Sequence, residues 1–304
     1  MIDYSFMVTT YNQEEFVKES LDSIKYQMVN YGEGYNVQLV IGDDASQDKT
    51  PQFIQEWLDE NGYLFKDIYS IFRTKNVGTC KNYCDLIRKL KAEKFRELSG
   101  DDMISHTNVF EMMDMLDDID VVQPVILLMK DGELLKSSKD YQWILRSALY
   151  STKQLHFLTK VETPIYNGTL FRKSLLTEEI LQHIEKYKLI EDWPMWYYIF
   201  KFNPNISHRY IPRPGLFYRR YGESVTATRS DAHINDIRGI RNEIMGNENS
   251  WMVNFVLRKL DVETGHMRSL LRVWEMLIYY FNYKKLSNIL KMAIDEDENC
   301  QKEC

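Results

Sequence analysis

The fold is decided by residues 4–44, which read YSFMVTTYNQEEFVKESLDSIKYQMVNYGEGYNVQLVIGDD. Residues 4–9 are a short apolar run, and residues 37–41 are a second run that ends at a glycine and two aspartates. Between them, over 14–28, apolar residues recur at helical spacing, which is typical of an amphipathic helix. We therefore predict a strand, a helix and a second strand, the start of an alternating α/β fold.

The alternation continues through the N-terminal half of the chain. Further strands are predicted over 67–72, 95–98, 120–129 and 166–171, and further helices after the turn at 46–48 and over 81–91, 108–116 and 178–187. Such alternation predicts a mostly parallel sheet with helices on both faces. From about residue 231 the character changes to amphipathic helices, including 267–280 and 284–294, and the polar end over 295–304 is expected to fray.

Three polar clusters follow three of the predicted strands. They are Thr10-Tyr11-Asn12, Asp43-Asp44-Ala45-Ser46 and Asp101-Asp102. In parallel α/β sheets, ligands bind beyond the carboxyl ends of the strands. The clusters therefore converge on one sheet edge, where we expect the ligand site.

The two adjacent carboxylates Asp101 and Asp102 supply hard oxygen ligands that suit Mg²⁺ or Mn²⁺. Such an ion commonly neutralises a leaving diphosphate. Either aspartate can be the main ligand on this reading. The alternative is an ordinary helix N-cap, since Asp is common at helix starts.

A second acidic pair, Glu191-Asp192, opens a predicted helix that carries Trp193 and Trp196. A carboxylate at this position can act as a general base on a hydroxyl nucleophile. The tryptophan rings can stack on a sugar face. The alternative is an acidic helix start whose tryptophans lie in the core.

Five motifs in order carry a resemblance to a known family. They are Thr10-Tyr11-Asn12, Asp43-Asp44-x-Ser46-x-Asp48-x-Thr50, Asn76-x-Gly78-x-x-Lys81-Asn82, Gly100-Asp101-Asp102 and Glu191-Asp192-Trp193. The sequence resembles the family 2 (GT2) inverting glycosyltransferases, nucleotide-sugar enzymes of the Rossmann-like GT-A fold. The resemblance is strong over residues 3–120 and thinner up to residue 226, so we predict a catalytic domain over 1–226 and a C-terminal helical region over 227–304.

The resemblance implies a metal-dependent hexosyl- or N-acetylhexosaminyl-transferase that uses a UDP-sugar and Mn²⁺ or Mg²⁺. It implies a hydroxyl acceptor on a glycan, a lipid-linked or a protein-linked carrier, in bacterial surface polysaccharide biosynthesis. The donor nucleotide site would comprise Thr10, Tyr11, Asn12, Asp43, Asp44, Asn76, Gly78, Lys81 and Gly100. Asp101 matches the metal-binding end of the family's DxD motif, and Asp192 matches the general base, with Glu191 next in line.

The segment 218–226 is predicted to be a glycine-containing loop. Its Arg219, Arg220 and Ser224 would grip the diphosphate, as in a similar segment of the family. The alternative is a solvated basic loop. Two departures from the family pattern stand out: Ser99 replaces the first Asp of DxD, and Lys81 replaces an arginine.

Composition excludes several other classes. Hydrophobic residues make up 44% and charged residues 27%, so the chain can build a core. The net charge of −7 disfavours a nucleic-acid binder. Neither a membrane-spanning run nor a signal peptide is visible, and four cysteines do not make a disulfide framework. We expect a cytoplasmic enzyme.

Two rival functions stay open at this point. A sugar nucleotidyltransferase would normally show a Gly- and Arg/Lys-rich loop after the first strand, where this chain has Thr10-Tyr11-Asn12-Gln13. A non-catalytic nucleotide- or sugar-binding partner would bind UDP without transferring sugar.

The C-terminal region is expected to serve the acceptor or a partner. Its apolar residues at helical spacing are Trp251, Phe255, Leu257, Leu270, Leu271, Trp274, Leu277, Ile278 and Phe281, and basic residues such as Lys284 and Lys285 punctuate the stretch. One interpretation is a helical subdomain docked on the catalytic domain. The other is peripheral contact with the anionic inner face of the cell membrane.

Overall fold

The computed structural model describes residues 1–221, 230–260 and 266–303. Its strands are β1 (Tyr4–Thr10), β2 (Val37–Asp43), β3 (Asp67–Phe72), β4 (Lys94–Ser99), β5 (Met103–Ile104), β6 (Val121–Lys130), β7 (Glu133–Leu134), β8 (Leu170–Phe171) and β9 (His208–Arg220). Its helices are α1 (Val17–Tyr31), α2 (Thr50–Asn61), α3 (Thr79–Ile87), α4 (Val109–Asp114), α5 (Gln142–Leu145), α6 (Thr152–Leu158), α7 (Glu178–Ile184), α8 (Asp192–Phe202), α9 (Asp231–Asn247), α10 (Trp251–Lys259) and α11 (His266–Glu303).

The first sheet is parallel throughout, with strand order β3-β2-β1-β4. Its register pairs Thr10 with Asp43, and Thr9 with Ser99. The last residues of β1, β2 and β4 therefore lie side by side at one edge. This confirms the predicted fold class, a mostly parallel sheet flanked by helices, with further helices at the C-terminus.

The second sheet has the order β5-β9-β6-β7, with β8 also paired to β6. Its longest strand, β9, was not predicted, and the segment from 218 to 220 belongs to it rather than to a loop. Pro212, Pro214 and Gly215 hide the strand in the sequence, because proline and glycine are depleted from strand interiors. The β6–β9 pairing absorbs them with register shifts between Gln123 and Ile126.

Both faces of the first sheet are buried, because successive side chains of β1 point to opposite faces and pack into two different core clusters. Phe6 and Val8 belong to one core cluster and Met7 to the other. The C-terminal helices complete both clusters: α11 adds Leu286 and Leu290 to the first, and α9 and α10 add Ile240 and Leu257 to the second, among others. This packing supports a docked helical region, and the boundary at 226 stays a prediction.

The predicted C-terminal helices 267–280 and 284–294 are parts of the single helix α11. The expected fraying after residue 294 is wrong, since the helix continues to Glu303. The side chains of Leu270, Leu271 and Trp274 lie outside the described part of the structure. Within the described ranges, no helix is long and apolar enough to cross a membrane.

One buried cation ties the two sheets together. Arg96 of β4 is only 1% exposed. Its guanidinium donates to the carbonyl oxygens of Gly168 and of Gly215, the latter in β9 at 2.7 Å. Desolvation lowers the pKa of Arg96 to about 10, so the group is still charged at neutral pH.

Replacing Arg96 with methionine should lower the free energy of unfolding by about 3 kcal/mol, because two buried carbonyls lose a charged donor. Denaturant unfolding of Arg96→Met measures this, with Arg209→Met as the control at an exposed position. An equal free energy of unfolding in the two variants would show that the Arg96 hydrogen bonds contribute nothing to stability.

Candidate functional site

The ends of β1 and β2 are joined through one buried carboxylate. Asp43, which has no exposed surface, accepts a hydrogen bond from the Thr10 hydroxyl at 3.0 Å and another from the Ser46 backbone N–H at 3.0 Å. The Ser46 hydroxyl also donates to it. Asp43 thus fixes the loop after β2 and connects it to the end of β1.

The neighbouring Asp44 holds the loop that precedes α3. Its carboxylate accepts from the backbone N–H groups of Val77 at 2.8 Å and Gly78 at 2.9 Å. The Asn76 side-chain amide donates to the Asp44 carbonyl at 3.2 Å. The predicted donor-site residues Asp44, Asn76 and Gly78 are therefore in one hydrogen-bonded unit.

Two loops at this edge have unusual backbone geometry. Asn12 and Ala45 adopt positive φ values of 51° and 65° although neither is glycine. Hydrogen bonds between the loops hold them: the Asn12 N–H donates to the Ser46 hydroxyl at 2.8 Å, and the Gln47 N–H donates to the Asn12 side chain at 2.8 Å. Such strain persists where surrounding contacts enforce it, commonly at functional sites.

Tyr11 lies in one of these loops at the edge of the sheet, and the residue is 47% exposed to solvent. Gly100 sits behind it in close contact with β1, since a Cβ there would lie 2.7 Å from the Thr10 methyl group and 2.6 Å from the Gln13 side-chain oxygen. Only glycine fits this approach. Gly100 thus sets how near the Asp101 loop comes to the Tyr11 loop.

The paired aspartates 101 and 102 have different environments. Asp102 is 2% exposed, accepts the Arg219 backbone N–H at 3.0 Å, and burial raises its pKa well above the ordinary value. Asp101 is partly exposed and accepts hydrogen bonds from the hydroxyls of Ser99 and Tyr221. Of the two aspartates, the structure therefore offers Asp101 as the accessible carboxylate.

The second acidic pair lies at the start of α8. Burial raises the pKa of Asp192 above its usual range, and burial together with the charge of Asp192 raises the pKa of Glu191. The Trp193 N–H donates to Asp192 at 2.7 Å and orients it. A carboxylate with a raised pKa is a stronger proton acceptor than an exposed one.

The acidic pair and the donor loops are in contact through the segment that precedes α8. The Cys80 N–H donates to the Lys188 carbonyl at 3.2 Å. Gly78, at φ +93°, packs so close that a Cβ would lie 2.7 Å from that carbonyl oxygen. The loop that Asp44 holds therefore rests on the segment leading to Glu191 and Asp192.

Two other predicted site residues, Lys81 and Arg219, are engaged in ion pairs. Lys81 pairs with Asp85 and with Glu185 at 3.1 Å. Arg219 donates to the Asp101 carbonyl at 3.0 Å, pairs with Glu19 and lies over the Phe16 ring. Arg220 is exposed at the end of β9, and Ser224 lies outside the described residues.

The two tryptophans are in the core. Trp196 is 1% exposed and packs edge-on against Phe171. Trp193 is 7% exposed, and its indole N–H donates to the Thr159 carbonyl at 2.9 Å. Neither ring presents an open face to a sugar here, because both are buried in the same hydrophobic cluster.

Three residues near the acidic pair and Asp101 were missed by sequence analysis. Asp236 of α9 accepts from three consecutive backbone N–H groups, those of residues 188–190, at 2.6–3.3 Å. Glu97 accepts from the Tyr83 hydroxyl at 2.8 Å, and burial raises its pKa to about 7. The third is Tyr221. No local pattern signals these roles, since each partner is distant in the chain.

Comparisons with known proteins agree with this geometry. The glycosyl transferase family 2 model matches residues 5–180. The minor teichoic acid biosynthesis protein GgaA of Bacillus subtilis is 24% identical over 186 residues, which are 59% of this chain and 39% of GgaA. The chain spans 26% to 58% of the length of the curated relatives that it matches.

Two solved structures share the fold. Staphylococcus aureus TarS 1-349 in complex with UDP-GlcNAc has a TM-score of 0.57 at 17% identity, over 84% of this chain and 70% of that one. The mannosyltransferase PcManGT from Pyrobaculum calidifontis, in complex with GDP-Man and Mn²⁺, has a TM-score of 0.52 at 15% identity, over 97% and 86%.

The family model covers more than half of the chain, and the strand-end clusters lie together as its motif order implies. The protein belongs to glycosyl transferase family 2.

Proposed function

We propose that the protein transfers a hexosyl or N-acetylhexosaminyl group from a UDP-sugar, with inversion, to a hydroxyl of a glycan, lipid-linked or protein-linked acceptor in bacterial surface polysaccharide synthesis. The observation that carries the proposal is the shared edge of the first sheet. There the Tyr11 ring, the Asp44 loop and Asp101 stand together. TarS with UDP-GlcNAc and the teichoic acid relative support the donor and the pathway class.

Asp192 is the proposed general base. It takes the proton of the acceptor hydroxyl as that oxygen forms a bond to the anomeric carbon, while the bond from this carbon to the UDP oxygen breaks on the opposite side. The raised pKa of Asp192 favours proton uptake. Asp236 supports the step indirectly by fixing residues 188–190.

A divalent cation fits this site with Asp101 as its protein ligand. Within the described residues there is no cluster of three or more His, Cys, Asp or Glu side chains that could hold a metal ion. One carboxylate is enough where substrate phosphates and water complete the coordination shell. When bound, Mn²⁺ or Mg²⁺ neutralises charge on the leaving diphosphate, and the Mn²⁺ complex of PcManGT supports this role.

The two rival functions can be distinguished by assays of UDP binding, of sugar release from UDP-sugars and of sugar-nucleotide formation. A non-catalytic partner would bind UDP and release no sugar from any UDP-sugar. A nucleotidyltransferase would form a sugar nucleotide from a sugar phosphate and a nucleoside triphosphate.

We also propose peripheral contact with an anionic membrane through α11. Val273, Met276, Leu277, Tyr280 and Phe281 are all exposed and follow the spacing of one helix face. Phe281 is 79% and Tyr280 74% exposed, and the exposed Lys284 and Lys285 follow them. Apolar, aromatic and cationic side chains in this order fit an interfacial helix.

Asp192→Asn should lower kcat by about 10²- to 10⁴-fold, because the acceptor hydroxyl loses its base, and should leave UDP-sugar affinity within a few-fold. Steady-state kinetics and calorimetry measure both quantities. Asp118→Asn, at an exposed position, is the matched control. Wild-type turnover in Asp192→Asn would assign the base to Glu191 instead.

UDP should bind tightly only with Mn²⁺ or Mg²⁺, and Asp101→Asn should remove that dependence because the cation loses its carboxylate. Calorimetric titration of UDP with EDTA and then with added Mn²⁺ measures the effect. The metal assignment is wrong if wild type and variant bind UDP equally well with and without the ion.

In flotation at low salt, the protein should rise with phosphatidylglycerol vesicles and not with phosphatidylcholine vesicles, because each lysine near an anionic surface contributes about 1 kcal/mol. Phe281→Asp should abolish recovery, whereas Val29→Asp, on the exposed side of α1, should not. Absence of wild-type recovery with anionic vesicles leaves α11 with a packing or acceptor role only.

A further inference from the structure

Asp101 is held by two neutral donors from different parts of the fold. The Ser99 hydroxyl, at the end of β4, donates to one carboxylate oxygen. The Tyr221 hydroxyl, just after β9, donates to the other at 2.7 Å. None of the ion pairs among the described residues includes the Asp101 carboxylate, because the Arg219 guanidinium donates to the backbone carbonyl of Asp101 instead, at 3.0 Å.

The position of Tyr221 is also fixed by a contact with the residue at the start of α1. Its ring lies 5.0 Å from the ring of Phe16, at the start of α1. The Arg219 guanidinium lies 4.6 Å from the centre of the same Phe16 ring and pairs with Glu19. The Tyr221 hydroxyl therefore reaches Asp101 from a frame built by α1 and β9, and Arg219 bonds that frame to the loop that carries Asp101.

Two hydroxyl donors leave room for a cation on the same carboxylate. An ionised carboxylate offers about four acceptor positions, and Ser99 and Tyr221 use two. Hydrogen bonds to a metal-binding carboxylate orient it, and their loss commonly weakens metal binding about 10- to 100-fold. A lysine or arginine in the same place would compete with the cation by charge, and a hydroxyl does not.

We infer that Ser99 and Tyr221 are positioning residues that orient Asp101 toward the divalent cation of the donor complex. The inference rests on the proposed function, because it requires Asp101 to bind that cation. It also gives Ser99 a role: where the family's motif has an aspartate, this chain has a hydroxyl that donates to Asp101. A carboxylate at position 99 would have no proton to donate at neutral pH and would repel Asp101.

The test is a Mn²⁺ titration at saturating UDP, followed by the electron paramagnetic resonance signal of free Mn²⁺. Tyr221→Phe and Ser99→Ala should each weaken Mn²⁺ binding about 10-fold or more. Ser99→Thr, which keeps the hydroxyl, should restore binding to near the wild-type value. Tyr63→Phe is the matched control, since Tyr63 is 79% exposed and makes no contact with Asp101 among the described residues.

UDP affinity in EDTA separates positioning from misfolding, because it should be unchanged in all four variants. Mn²⁺ binding within twofold of wild type in both Tyr221→Phe and Ser99→Ala overturns the inference while the metal site stands. Failure of wild type itself to bind Mn²⁺ in the presence of UDP overturns the proposed metal role and the inference with it.

Discussion

The register of the first sheet is the constraint on which the site depends. Because β1, β2 and β4 are parallel and pair Thr10 with Asp43 and Thr9 with Ser99, three polar loops leave the sheet at the same edge. A shift of one residue in either pairing would turn every buried side chain of that strand toward the opposite face. The apolar faces of β1 and β2 therefore fix the position of the functional groups as well as the core.

Buried carboxylates then hold the loops at this edge in fixed conformations by accepting hydrogen bonds from their backbone N–H groups. Asp43 joins two loops, Asp44 holds the loop at Gly78, and Asp236 holds residues 188–190. Gly78 rests on the Lys188 carbonyl, so the donor loop and the segment before Asp192 form one continuous set of contacts. In the proposed reaction this coupling holds the base in a fixed relation to the nucleotide. The C-terminal helix α9 takes part through Asp236, although its sequence carries no family motif.

Local pattern was enough to predict the parallel sheet, and it even placed the strand 67–72 at the bounds that the structure has. It failed for β9, whose two prolines and glycine conceal the strand, and for the continuous helix α11. The positions of the polar clusters after their strands predicted that they meet at one sheet edge, and the strand register confirms that convergence. It could not show that Lys81 and Arg219 are engaged in ion pairs with residues distant in the chain or that Trp196 is buried, because burial and pairing follow from tertiary packing. Asp236 and Tyr221 act on partners at least 46 residues away in the chain, beyond the reach of local pattern.

In the proposed reaction this edge binds a UDP-sugar, and Asp192 directs inversion at its anomeric carbon. The most direct test incubates the protein with Mn²⁺ and a panel of α-linked UDP-sugars and follows the slow hydrolysis product by proton NMR before the anomers equilibrate. We expect that one donor is hydrolysed and that its sugar first appears as the β-anomer, with water in place of the acceptor. Initial release of the α-anomer, or no hydrolysis of any donor by a protein that binds UDP, would contradict it.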